Sequence, residues 1–179
     1  ENVTEFLKSK RVFCVKDEDF DTLKEGDVAL IRAHGISRET EAELRAKGVI
    51  LFDATCQVVK KNQALVEKQA LLGNEIVVIG DSCHDEVRGV VSYAGKNVRV
   101  IPDTAAISID SKPVSFVFQT TVLKEKFEKI KSDITNLPNF DPKSVGIFDT
   151  CCYNTTIRQK EARALAAESD AVVVVGSRN

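Results

Sequence analysis

The chain has 179 residues, 43% of them hydrophobic and 29% charged, with a net charge of −2. That is enough for one or two domains with a real core, and the absence of a long basic stripe argues against nucleic acid as a partner. No apolar run approaches the length of a membrane span, and five cysteines, an odd number in a chain too large to need disulfide staples, suggest free thiols in a reducing compartment such as the cytoplasm.

In chain order, VTEFLKSK (3–10) reads as the end of a helix and RVFCV (11–15) as a strand, which makes Cys14 a core residue. The acidic run KDEDFD (16–21) reads as a solvated loop, and DVALIR (27–32) as a strand. Ser37 or Thr40 is placed to cap a helix over roughly 38–47 that Gly48 stops. VILF (49–52) is a strand, and Val58, Val59, Leu65, Val66 and Leu72 recur at helical spacing up to Gly73. EIVVIG (75–80) is a strand, followed by a short helix over roughly 85–93 and a strand NVRVI (97–101). PVSFVF (113–118) is a strand and VLKEKFEKIKSDI (122–134) an amphipathic helix. NLPNFDP (136–142), with two of the four prolines, is the best linker candidate. SVGIF (144–148) is a strand, 156–168 a helix and AVVVV (171–175) a strand. Such alternation predicts an α/β fold of repeated strand–helix units in mostly parallel sheets. The chain opens on Glu1, contains no Met and stops just after a predicted strand, so both ends read as cuts in a longer protein.

The side chains capable of chemistry gather where strands end. RAHG (32–35), DATC (53–56), GDSCHDE (80–86), QTT (119–121), DTCCYNTT (149–156) and GSRN (176–179) each follow a predicted strand, the edge where open α/β sheets bind ligands. LFDATC (51–56) and IFDTCC (147–152) share an F-D-x-x-C ending, which pairs Cys56 with Cys152. Thiolates suit zinc, Cu(I) and iron–sulfur clusters, but without a C-x₂-C pair any shared metal requires convergence from two strand ends. The other reading makes both small buried hydrophobes. Cys83 and Cys151 fit either reading, and a Cys151–Cys152 disulfide would strain the backbone. His34, before Gly35 and a helix start, suits a phosphate, or else is structural within a capped loop. Glu86, two residues after His84, is either a proton donor with a raised pKa or an acidic residue complementing a helix dipole. Gln119, Thr120 and Thr121 offer amide and hydroxyl donors, or cap the next helix.

Taken together, R-A-H-G-I-S, D-A-T-C, H-x-E-V-x-G, Q-T-T, C-Y-x-T-T-x-R-Q and V-V-G-S-x-N occur in an order and spacing that resemble the LytB-type family of 4-hydroxy-3-methylbut-2-enyl diphosphate reductases, along essentially the whole chain. The resemblance implies three α/β domains around a pseudo-threefold axis, each giving one cysteine to a central [4Fe–4S] cluster. On that scheme residues 1–56 are the remainder of the first domain, 57–150 the second and 151–179 the start of the third. Cys56 and Cys152 are the implied cluster ligands, with one further cysteine outside this chain. His34 and His84 are implied to hold the substrate diphosphate, Glu86 to deliver protons, Thr120 to bind the allylic hydroxyl and Thr155 to lie in the substrate loop of the third domain. The implied reaction is a two-electron reductive dehydroxylation to isopentenyl and dimethylallyl diphosphate, the last step of the non-mevalonate isoprenoid pathway, with electrons from a donor such as ferredoxin or flavodoxin. The chain by itself is expected to be inactive.

Three internal positions depart from the family pattern. Gln57 replaces the Pro after the ligand Cys, Asp85 replaces the Pro of H-P-E, and Asp81 replaces a His after the strand Gly. The alternative function is an α/β domain that binds a phosphorylated small molecule through His34 and His84 without a cluster. A third reading is a plain interaction domain, in which these side chains affect stability alone.

Overall fold

The computed structural model describes residues 3–175, apart from 104, 106, 111 and 112. The GSRN motif at 176–179 lies outside the described residues, as do Glu1 and Asn2. Helix α1 (Val3–Ser9) opens the described chain. A parallel pair of strands follows, β1 (Val28–Ile31) and β2 (Ile50–Asp53), joined through α2 (Arg38–Ala46). Ser37 is the N-cap of α2, its hydroxyl accepting from the Thr40 N–H at 3.1 Å. Helix α3 (Gln57–Leu71) leads into a second sheet of β3 (Glu75–Ile79), β4 (Val98–Ile101), β5 (Val114–Phe118) and β6 (Val145–Ile147). Its strands are all parallel, in the order β4-β3-β5-β6, with α4 (Asp85–Val91), α5 (Lys124–Thr135) and α6 (Tyr153–Glu168) between and after them.

The central strands β3 and β5 are buried at every position, as expected where helices cover both faces of a parallel sheet. Strand alternation divides their side chains between two cores. Val77, Ile79, Phe116 and Phe118 pack with Phe127, Ile130 and Ile134, the i, i+3, i+7 stripe of α5. Ile76, Val78 and Val117 face the other way, onto Val66 of α3 and Val87 and Val90 of α4. The chain goes from β3 to β4 on one side, then returns past β3 to β5 on the other. A crevice therefore opens between the ends of β3 and β5, the topological switch point of the sheet.

Several predicted elements differ. Residues 11–16 form no strand, and Arg11 adopts φ +60°, turning the chain out of α1. Cys14 is consequently exposed, not core, because no neighbouring strand among the described residues covers this stretch. Residues 17–22, overlapping the acidic run, form a 3₁₀ turn, with Asp19 and Asp21 exposed as expected of a solvated segment. The stretch 136–142 is no free linker. Leu137 and Phe140 pack on the α5 core, and Asn139 donates to the Ile109 carbonyl at 2.9 Å. Helix α6 begins at Tyr153, three residues early. Residues 171–175 make no strand pairing among the described residues, and Val173–Val175 are solvent-exposed. Leu72 is exposed as well, whereas the buried stripe of α3 includes two polar residues, Val59-Asn62-Gln63-Val66.

The two-core arrangement makes a direct prediction. Phe116→Ala removes a ring that is fully buried between β3 and α5, and lowers the unfolding free energy by about 3–5 kcal/mol in urea titrations. Leu71→Ala, at a side chain 82% exposed, shifts it by no more than about 0.5 kcal/mol.

Candidate active site

The two F-D-x-x-C segments fold in the same way. At the end of β2, the Asp53 carboxylate accepts the Thr55 N–H at 2.9 Å, bending the chain out of the sheet, and pairs with Lys60 at 2.5 Å. After β6, the Asp149 carboxylate accepts the Cys151 N–H at 3.2 Å and pairs with Lys124. Asp53 lies opposite Ile31 of β1, and the Cys56 N–H donates to Ala33, two residues further on, at 2.9 Å. The register Phe116↔Ile147 sets Asp149 opposite Phe118, and the Cys152 N–H donates to Thr120, again two residues on, at 2.7 Å. Each cysteine thereby becomes the N-cap residue of a long helix, Cys56 for α3 and Cys152 for α6.

Neither cysteine is a buried hydrophobe, which removes the packing interpretation. Cys56 is exposed and Cys152 half-buried. The backbone N–H of Thr155 holds the Cys152 thiol below its ordinary pKa, outweighing desolvation, with further help from the Thr155 hydroxyl, the Asn154 N–H and the Arg158 charge. Its neighbour behaves oppositely. Burial, then the negative charge of Asp149, push the Cys151 thiol up to about 12, and its side chain packs against the β3–β5–α5 core. Thr155 is not in a loop, as the resemblance implied, but in the first turn of α6, where it faces the thiol. Cys83 is exposed beside His84.

Between the two cysteines runs a chain of contacts. Beyond Ala33, His34 occupies a turn closed by the Gly35 N–H on the Arg32 carbonyl at 2.9 Å. Gly35 is required there twice over. Its φ is +78°, and a Cβ would lie 3.1 Å from Gln63 Nε2 and 3.2 Å from Thr55 Cγ2. The His34 ring meets the His84 ring edge-on, with centroids 5.2 Å apart. His84 is the N-cap of α4, and its Nδ1 accepts the Glu86 N–H at 3.2 Å. That bond assigns the proton of a neutral His84 to Nε2, which is left to donate outward. Glu86 is 2% exposed and lies in the first turn of α4, so it complements the helix dipole from a buried position. Its Oε1 accepts the Thr120 N–H and its Oε2 the Thr120 hydroxyl, both at 2.7 Å. The Thr120 carbonyl then takes the Cys152 N–H.

Gln119-Thr120-Thr121 do not cap α5, whose N-cap is Leu123. Gln119 Oε1 instead accepts the Asp81 N–H at 3.0 Å, and Gly80 leaves room for it, since a Cβ there would lie 2.7 Å from that oxygen. Gln119, Thr121, Gly80, Asp81 and Ser82 line a cavity of about 320 Å³ at the switch point. The two Pro-replacing departures, Gln57 and Asp85, both fall on the first residue of a helix, where Pro is favoured but not required.

Sequence reasoning missed the turn-forming Asp53 and Asp149, although the shared F-D-x-x-C signal contained them. It also missed the buried Asn62, which donates to the Phe118 carbonyl at 3.1 Å while its own Oδ1 has no partner, and the Arg32–Asp85–Arg88 ion cluster. The described residues hold no group of three or more metal-binding side chains. What they present is two cysteines at the N-cap positions of α3 and α6, Cys56 exposed and Cys152 half-buried, a fit for two of the sulfur ligands of a cluster.

The contrast between adjacent cysteines is measurable. In the metal-free protein at neutral pH, iodoacetamide modifies Cys152 at least about tenfold faster than Cys151, read by mass spectrometry of timed samples. Equal rates overturn the assignment of Cys152 as the reactive thiol.

Comparison with known proteins follows the same lines. The chain is 40% identical over 181 aligned positions to the 4-hydroxy-3-methylbut-2-enyl diphosphate reductase of Campylobacter fetus, with 99% of this chain and 63% of that protein covered. It is 34% identical to the protein of that name from Clostridium tetani, covering 99% of this chain and 27% of the relative. The solved structure of E-1-hydroxy-2-methyl-but-2-enyl-4-diphosphate reductase from Plasmodium falciparum superposes with a TM-score of 0.77 at 26% identity, over 95% of this chain and 54% of that one. A solved (E)-4-hydroxy-3-methyl-but-2-enyl diphosphate reductase, described as the terminal enzyme of the non-mevalonate pathway, gives 0.70 at 31% identity, over 100% and 64%. The chain spans less than two thirds of the length of each of these relatives. With the LytB protein family model matched from residue 1 to 179, the chain belongs to the LytB family.

Proposed function

We propose that this chain is the substrate-handling part of a 4-hydroxy-3-methylbut-2-enyl diphosphate reductase. The observation that carries the reading is the Glu86–Thr120–Cys152 relay. It joins a buried carboxylate through one threonine to a cysteine whose thiol is held below its ordinary pKa. A [4Fe–4S] cluster, when bound, supplies the two electrons and a Lewis-acidic iron for the substrate oxygen. Cys56 and Cys152 hold it in this reading, with a third cysteine from another part of the complete protein. The exposed His34 ring and Nε2 of His84 bind the diphosphate from two different loops. Thr120 orients the allylic hydroxyl, while Glu86, once it has taken up a proton, passes it to that oxygen. The C–O bond breaks, the oxygen leaves as water, and a second proton reaches either end of the allyl unit. Two electrons and two protons thus yield water and isopentenyl or dimethylallyl diphosphate.

The remaining assignments belong to the same proposal. Cys152 at the start of α6 and α3 packed on the second sheet fit a division at 1–56, 57–150 and 151–179. No helix among the described residues is long and apolar enough to cross a membrane, and the five free cysteines suit a cytoplasmic protein served by a ferredoxin- or flavodoxin-type donor.

The test uses the complete protein, reconstituted anaerobically with iron and sulfide. Cluster absorbance is lost in Cys56→Ser and Cys152→Ser but kept in Cys151→Ser. Glu86→Gln keeps the absorbance and lowers kcat by roughly 10²- to 10³-fold. Diphosphate binding with no cluster in the wild-type protein would favour the cluster-free binding domain instead.

A further inference from the structure

His34 and His84 stand on loops from different sheets, so their spacing depends on whatever joins those loops. The edge-on ring contact by itself is a weak constraint. A seam of other contacts runs beside it. The Arg38 N–H at the start of α2 donates to the Ser92 hydroxyl at the end of α4, at 3.0 Å. α4 packs against the first loop at Gly89, where a Cβ would lie in ordinary contact, 3.5 Å from the Ile36 carbonyl and 3.8 Å from that of His34. At the mouth, two residues before His34 and one after His84, Arg32 pairs with Asp85. The other Asp85 oxygen takes Arg88, one turn further along α4. Desolvation opposes the Asp85 charge, but the hydrogen bond from Arg88 and the charges of Arg32, Arg88 and His34 outweigh it and lower its pKa.

We propose that Asp85 is a positioning residue for the diphosphate, clamping the His34 loop to the His84 loop through Arg32 and Arg88. The inference rests on the reading of His34 and His84 as diphosphate ligands and adds a residue that the family pattern does not supply, since that pattern has Pro here. A bare carboxylate beside a diphosphate would repel it. One carboxylate against two guanidiniums leaves the cluster with one net positive charge, so the clamp is compatible with an anion next to it.

This arrangement allows a sharp test, because two explanations predict opposite signs. Removing the Asp85 charge makes the mouth more positive, and simple electrostatics then predicts tighter diphosphate binding. The clamp predicts weaker binding. Asp85→Pro suits the experiment, since Pro is favoured at a first helical position and keeps the start of α4. Asp85→Asn preserves the shape and removes only the charge. Both are made in the complete protein, alongside the charge swap Arg32→Asp with Asp85→Arg. Inorganic diphosphate is titrated by calorimetry, and KM and kcat are measured separately.

The expected result is a dissociation constant and a KM raised about fivefold in both single variants, the gain expected from one partly exposed ion pair, with a smaller fall in kcat and a melting temperature lowered by no more than about 4 °C. The charge swap restores only part of the loss, since it rebuilds the inter-loop pair but loses the contact with Arg88. Binding equal to or tighter than wild type in Asp85→Asn and Asp85→Pro overturns the clamp. Failure of the wild-type protein to bind diphosphate overturns the ligand reading of the histidines, which is a separate result.

Discussion

The candidate site hangs on the hydrogen-bonding of a single residue, Thr120. Its N–H and hydroxyl both go to Glu86, and its carbonyl takes the Cys152 N–H. A backbone segment just past the end of a parallel strand has lost its ladder partners, and each buried polar group there needs another. Here those partners are a carboxylate from the β3–α4 junction and a cysteine from the β6–α6 junction. Satisfying one strand end therefore draws the two neighbouring strand ends together. Structural necessity and chemical arrangement are the same bonds. That is also why a 2% exposed carboxylate is tolerable: both of its oxygens are engaged.

The same logic explains why the two cysteine arms look alike. In each, an Asp at the end of the strand (Asp53) or two residues past it (Asp149) accepts a backbone N–H two residues on, and a lysine balances its charge. The turn so formed delivers the next N–H across to the adjacent parallel strand, two residues beyond the register partner of the Asp. A cysteine at that point starts a helix of 15 or 16 residues. The Phe-Asp pair and the cysteine spacing thus encode one supersecondary device used twice. Between adjacent Cys151 and Cys152, the device itself decides which is presented. Cys151 donates back to Asp149 and is carried toward the core, while Cys152 reaches the helix start.

Much of this was legible in the sequence, for identifiable reasons. β3 and β5 are near-continuous apolar runs, and α5 has a clean stripe, so the second sheet and its helix could be read directly. The strand-end clustering of His34, Cys56, His84, Glu86, Thr120 and Cys152 was visible because parallel α/β topology sends every strand end to one edge. What failed did so where a local pattern lacked a tertiary partner. RVFCV and AVVVV have strand composition, but neither pairs with a neighbour among the described residues, and composition cannot supply one. α3 was misjudged in the opposite sense. Its inward face is half polar, with Asn62 bonded to the end of β5 and Gln63 beneath the His34–Gly35 turn, a role no periodicity of apolar residues could signal.

The departures at Gln57 and Asp85 show how such a site tolerates change. Both replace a Pro expected from the family pattern, and both sit at the first position of a helix, whose N–H has no intrahelical acceptor. Pro contributes there a fixed φ and little else, so the cost of losing it is chiefly conformational entropy. At position 57 that entropy is offset locally, because the Cys56 N–H is tied to Ala33 and the Cys56 carbonyl to the Lys60 N–H. At position 85 the substitution adds something Pro lacks, a carboxylate that reaches across to Arg32 and back to Arg88. This loop therefore carries an ionic contact to another loop at the position where the family pattern leads one to expect a rigid ring. Rigidity that Pro imposes on a single segment cannot fix its distance to another segment, whereas a pair of opposite charges can. The histidine spacing at this site is accordingly a property of two loops held together rather than of either loop alone.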